Sequence, residues 1–143
     1  MPFVAIKLSA EKPKSSAYPK VLVTFGDHLR KARLDRGLLQ EEVARALEAD
    51  KDTITKWENG KASPSLPFIP RILKFLGYNP FPPAQTLPKK LVQSRKVLGI
   101  TQKAQARIFH VSQSTLAKWE REKAEPSKRS RKVIKSFLHD LPK

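Results

Sequence analysis

A register of identities 62 residues apart constrains this chain more than any other feature. With Leu29 set on Leu91, Arg33 falls on Arg95, Gly37 on Gly99, Gln40 on Gln102 and Ala44 on Ala106. Further along, Thr53 falls on Thr115, Lys56-Trp57-Glu58 on Lys118-Trp119-Glu120, Lys61 on Lys123, and Pro64-Ser65 on Pro126-Ser127. No gap is needed. Self-similarity at one fixed period marks a folding unit used twice. In 143 residues each unit is small. A unit of roughly 60 residues buries only about 60% of its surface and is marginal alone. Each copy must therefore pack as short helices, or the two must lean on each other.

Capping and periodicity predict four helices per copy. Thr24 caps the first, which runs to about Arg36 before Gly37. Phe25, Leu29, Ala32 and Arg33 share a face at 3-4 spacing. The second spans Gln40 to Leu47 and buries Val43, Ala44 and Leu47. Asp50 caps a third, Lys51 to Asn59, stopped by Gly60. Ser65 caps a fourth with an apolar stripe of Leu66, Ile69, Ile72, Leu73 and Leu76, ended by Gly77. Pro67 sits in its first turn, and Pro70 bends it. The second copy follows: Thr86 to Leu98, Gln102 to Phe109 capped by Thr101, Gln113 to Arg121 capped by Ser112, and Lys128 to His139. The expected domains are a basic flexible arm at 1–20, an N-terminal unit at 21–78, a proline-rich linker at 79–85 and a C-terminal unit at 86–143. Lys20-Val21-Leu22-Val23 is expected to pack on the first unit. Pro80, Pro82 and Pro83 favour a stiff, extended spacer.

Charge narrows the partner. The chain holds 29 Lys+Arg against 13 Asp+Glu, a net +16, which points to a polyanion, and nucleic acid is the commonest. No long basic amphipathic helix or bilayer-length apolar run argues for a membrane. With no cysteine, thiolate metal sites and disulfides are excluded. His28, His110 and His139 lack metal-pair spacing, so no metal or cofactor is expected. No Ser/His/Asp, Cys/His or carboxylate constellation marks an enzyme, so no catalytic residue is assigned.

The second and third helices of each copy, joined by a short turn, form a helix-turn-helix. Here the residues resemble a known family. Gln40-Glu41-Glu42-Val43-Ala44 with Asp52-Thr53-Ile54-Thr55-Lys56-Trp57-Glu58-Asn59-Gly60-Lys61, and Thr101-Gln102 with Val111-Ser112-Gln113-Ser114-Thr115-Leu116-Ala117-Lys118-Trp119-Glu120-Arg121, are similar to the Xre family of repressors, related to phage λ repressor and Cro. The resemblance implies an all-α fold of two tandem λ-repressor-like bundles, each of four to five short helices. It also implies a sequence-specific regulator of double-stranded DNA, a repressor in the cytoplasm at the nucleoid, with two recognition helices in the major groove. Gln40 and Gln102 then touch phosphate and buttress the recognition helix. Lys51 and Asp52, or Gln113 and Ser114, meet base edges, with Thr53, Ser112 and Thr115 beside them. Lys56 and Lys118 face the groove, while Asn59, Lys61, Arg121 and Lys123 meet the backbone. The chemistry is apt, since Gln pairs with adenine and Lys with guanine. Arg33 is expected to clamp Glu58, and Arg95 Glu120. Trp57 and Trp119 are expected to pack in the cores.

The copies differ in ways that suggest divided labour. Leu39 replaces the usual Ser/Thr cap. Asp50 and Asp52 put carboxylates at the first recognition tip, and Gln105 occupies a position expected to be apolar. Residues 21–80 carry ten Lys+Arg and eight acids, and residues 81–143 carry fifteen and four. The C-terminal unit is thus the expected source of phosphate affinity. The alternative function is an antitoxin-like or adaptor protein, in which the N-terminal unit binds a protein partner or forms a homodimer. Family members bind palindromes as twofold dimers. Two fused units could instead cover groove faces about 34 Å apart, which ten extended residues can span. Direct and inverted repeats both remain open at this point.

Overall fold

In a computed structural model, residues 17–142 are described, and they form eight α-helices. The first unit holds α1 (Phe25–Asp35), α2 (Gln40–Leu47), α3 (Lys51–Glu58) and α4 (Phe68–Leu76). The second holds α5 (Leu87–Leu98), α6 (Gln102–Ile108), α7 (Gln113–Glu120) and α8 (Lys128–His139). The fold is all-helical, as the periodicity requires. Expected residues 1–16 of the arm lie outside the described residues.

The caps explain the boundaries. Thr24 Oγ1 accepts from Asp27 N (3.0 Å), and the Asp27 carboxylate accepts from the Val23 and Thr24 N–H groups (2.9 and 3.0 Å). Burial opposes ionisation of Asp27, but these hydrogen bonds outweigh it and hold its pKa below the usual carboxylate range. Asp50, Thr101 and Ser112 cap α3, α6 and α7 as expected, and Thr86, expected as the first residue of α5, is its N-cap. Ser65 does not cap α4. Consecutive i→i+3 bonds, Phe68 N to Ser65 O and Ile69 N to Leu66 O, form a tight turn first, and the helix starts at Phe68. A start at Leu66 would place the Pro70 ring against the Leu66 carbonyl. The later start puts Pro70 in the first turn, where no N–H is needed. Its counterpart Ser127 heads a segment without these prolines and does cap α8.

Each unit has its own core. Leu29, Val43, Ala44, Leu47, Ile54, Trp57, Ile72 and Leu76 fill the first. Leu91, Ala106, Phe109, Leu116, Trp119 and Ile134 fill the second. Both tryptophans are buried packing residues. In the first unit α1 runs so close to the end of α3 that a Cβ at Gly26 would sit 1.8 Å from the Trp57 carbonyl oxygen. Lys20–Val23 does not pack on this core. Val21 and Val23 are 67% and 77% exposed, because the Asp27 bonds hold the backbone at the helix start and leave these side chains outside.

The proline-rich segment does not stand clear of the two units. Tyr78 Oη lies 2.7 Å from His28 Nδ1, and Phe81 stacks edge-on against Phe25 (5.2 Å). Gln93 of α5 donates to Pro82 O (2.7 Å). The segment lies against α1 while α4 packs on α5. Phe81 meets the Phe25 ring and Tyr78 the His28 imidazole, and these side-chain contacts hold the segment on α1. Burial lowers the His28 pKa, as does Lys31, although Asp27 opposes this. A base with a lowered folded pKa adds stability above its unfolded pKa and loses it as pH falls through the folded value. Between about pH 7 and pH 5, the first unit is expected to lose melting temperature, and His28→Gln should flatten that slope. An unchanged slope in thermal melts of the variant would rule out His28 as the titrating group.

Candidate nucleic-acid interface

Helices α2 and α3, and α6 and α7, are joined by turns that start from a left-handed residue, Glu48 (φ 57°) and His110 (φ 59°). Glycine is the usual occupant of such a position. The turn reverses the chain so that the third helix of each unit carries an exposed row. In α3 that row is Lys51, Asp52 and Lys56, and in α7 it is Gln113, Ser114 and Lys118.

A buried clamp holds the third helix of each unit. Arg33 Nε and Nη2 donate to the two Glu58 carboxylate oxygens (2.8 and 2.9 Å), and Nη1 to Leu38 O (3.1 Å). Arg95 repeats the fork on Glu120 (2.9 and 3.1 Å). Gln40 and Gln102 each add an amide donor to the same carboxylate, at 3.1 and 3.0 Å. The expected Arg–Glu pairs are therefore present, and the glutamines are bound to the ends of α3 and α7.

The free end of each glutamine distinguishes the copies. Gln40 Oε1 accepts from Thr55 Oγ1 (2.8 Å) inside α3. At that position α7 has Ala117, and Gln102 Oε1 instead accepts from Gln113 Nε2 (3.2 Å). Gln113 is thus oriented by the clamp, whereas Lys51 is not. Lys56 is paired with Asp52 (3.1 Å), while the counterpart of Asp52 is Ser114 and leaves Lys118 without that neighbour. The role of Thr55 was not legible as a motif; only the Thr55/Ala117 mismatch in the repeat signals it.

The remaining expected contact residues fall at helix ends. Thr53 donates from N and Oγ1 to Asp50 Oδ1 (both 2.8 Å), and Thr115 N to Ser112 Oγ (3.1 Å). These bonds depress the Asp50 pKa. Thr53, Ser112 and Thr115 are thus engaged in capping. Asn59 and Arg121 are exposed C-caps of α3 and α7. Lys61 and Lys123 follow them, exposed, with backbone N–H bonds to Lys56 O and Lys118 O (2.9 and 2.8 Å). On α8, Lys128, Arg129, Lys132 and Lys135 are exposed, and Arg131 pairs with Glu125 (2.8 Å).

The second core carries the polar insertion anticipated at Gln105. Gln105 is fully buried, with Nε2 donating to Ser94 Oγ (2.9 Å) and Ser94 Oγ to Leu91 O (2.8 Å). Among the described residues Gln105 Oε1 has no hydrogen-bond partner. The first copy has Val43 and Ala32 at these positions.

Comparison with known proteins agrees with this architecture. One helix-turn-helix domain family matches residues 24–80, and a second helix-turn-helix family matches residues 92–130. The cryptic phage CTXphi transcriptional repressor RstR of Vibrio cholerae is 38% identical over 53 residues, 37% of this chain and 48% of that protein. The chain spans about half the length of this curated relative. No solved structure matches. The chain belongs to the helix-turn-helix proteins of the Xre, λ-repressor-like type and carries two copies of the domain.

Proposed function

We propose that the chain is a DNA-binding transcriptional regulator, acting as a repressor, with α7 as its principal reading helix. The carrying observation is the Gln102–Gln113 bond. A glutamine held at a helix start is pre-oriented for bidentate pairing with adenine. Serine at the next position adds no repulsion, and the exposed cations of α8 and the α7 end suit phosphate contacts, which position a protein without reading sequence. The resemblance to a phage repressor supports the same direction of control. Such a regulator acts in the cytoplasm, at the nucleoid.

The first recognition helix suits a lesser role. The Asp52–Lys56 pair cancels charge where phosphate would approach. A second reading, in which this unit also meets a protein partner, is favoured by Leu39, which is 65% exposed at the start of α2.

Two matched double variants of the full chain test the division. Gln113→Ala with Lys118→Ala should weaken binding to a selected duplex by about tenfold or more, given 1–3 kcal/mol per good base contact. Lys51→Ala with Lys56→Ala should cost less. Equal losses in a titration at one salt concentration would reject α7 as the principal reader.

A further inference from the structure

The two units are alike, so the relation between them decides what symmetry of DNA one chain can match. A twofold axis would exchange α4 with α8 and α5 with α1. Every contact would then occur twice, in the isologous manner. Three observations show that it does not.

Helix α4 packs on α5, yet α1 and α8 share no contact of similar extent. The atomic detail agrees. A Cβ at Gly99 would lie 2.9 Å from Pro70 Cγ and 3.3 Å from Leu66 O, so the unit junction closes on the bare glycine backbone. The repeat partner of Gly99 is Gly37, and around a Cβ there nothing lies within 4 Å. Finally, the docking residues occur only once. Leu66 and Pro70 of the α4 region correspond to Lys128 and Lys132 of α8. An apolar docking edge in the first copy has become a basic edge in the second, and those lysines are exposed.

The contact is therefore heterologous, and the proline-rich segment adds the Gln93–Pro82, Tyr78–His28 and Phe81–Phe25 contacts that hold it. We infer that one chain reads a non-palindromic duplex: two unlike elements, in one order and at one spacing, set by the seat of Gly99 on Pro70. This rests on the DNA-reading function proposed above. The elements are unlike because Lys51-Asp52 and Gln113-Ser114 present different chemistry. The spacing is constrained because linked readers gain affinity only when their geometry lets both engage.

Selection of bound duplexes from a random pool by the full chain tests this directly. The expected result is two different elements in fixed order. Insertion of half a helical turn, about 5 base pairs, should weaken binding by about a hundredfold through loss of that linkage. Gly99→Asn keeps a residue tolerant of positive φ but adds the colliding Cβ, and it should weaken binding to the parent spacing by about tenfold, whereas Gly37→Asn should leave it within about twofold. Pro70→Ala removes Cγ and Cδ and should restore binding to the Gly99→Asn chain. That rescue separates a moved junction from a misfolded unit. An inverted repeat, a single element, tolerance of the insertion, or equal effects of the two glycine variants would overturn the inference. If no sequence is enriched at all, the DNA-reading function itself falls, and this inference with it.

Discussion

Arg95→Ala should destabilise the C-terminal unit by about 3–5 kcal/mol, the usual cost of removing one partner from a buried ion pair. Glu120 would keep only the Gln102 amide, and a carboxylate whose side chain is 7% exposed cannot recover its solvation in place. A unit of this size has a stability of only a few kcal/mol, so the variant should be largely unfolded at 37 °C. Urea unfolding followed at Trp119, in a Trp57→Phe background, checks this. The double substitution Arg95→Met with Glu120→Met should recover much of the loss, because apolar replacements of a buried pair are often neutral. DNA binding should not recover with it. Gln102 would lose its carboxylate anchor, and Gln113 would lose the partner that orients it. If restored folding brings full binding back, the clamp is structural only.

The second large effect has the opposite sign. Gln105→Val with Ser94→Ala should stabilise the C-terminal unit by about 1–3 kcal/mol, the cost of leaving a buried acceptor unsatisfied. The change installs the residues that the first copy already carries at Val43 and Ala32. Substituting both partners matters, since Gln105→Val alone would leave Ser94 Oγ without the Gln105 donor, though its bond to Leu91 O would remain. A higher urea midpoint with an unchanged slope is the expected readout. A lower midpoint would mean that Gln105 Oε1 has a satisfied environment in solution, such as a buried water.

Much of this could be read before any coordinates. The repeat and the four-helix pattern depend on local capping, helical periodicity and residue identity, which are written along the chain, while the clamp pairs Arg33–Glu58 and Arg95–Glu120 are what the family resemblance implies. Even the misplaced start of α4 is a local matter, since Pro70 dictates it once the ring's clash with a preceding carbonyl is weighed. The backbone repeats more faithfully than the side chains do. Glu48 and His110 share a left-handed turn without sharing identity, as do Gly60 (φ 73°) and Glu122 (φ 60°). That equivalence is invisible to residue matching, because the positions are imposed by how the helices meet and not by the residue's own preference.

The 62-residue repeat thus determined two units of one architecture, and the charge pattern determined that they differ. Sequence alone could not decide how each glutamine uses its free oxygen, because Thr55 and Gln113 reach it only after two helices have crossed. Nor could it decide the relation between the units. Three prolines suggest an extended spacer, but Phe81 on Phe25 and Tyr78 on His28, partners distant along the chain, hold that segment against α1. Whether α4 docks on α5 depends on surfaces that exist only when both bundles are formed. Tertiary packing is what converts two similar helical units into an asymmetric pair.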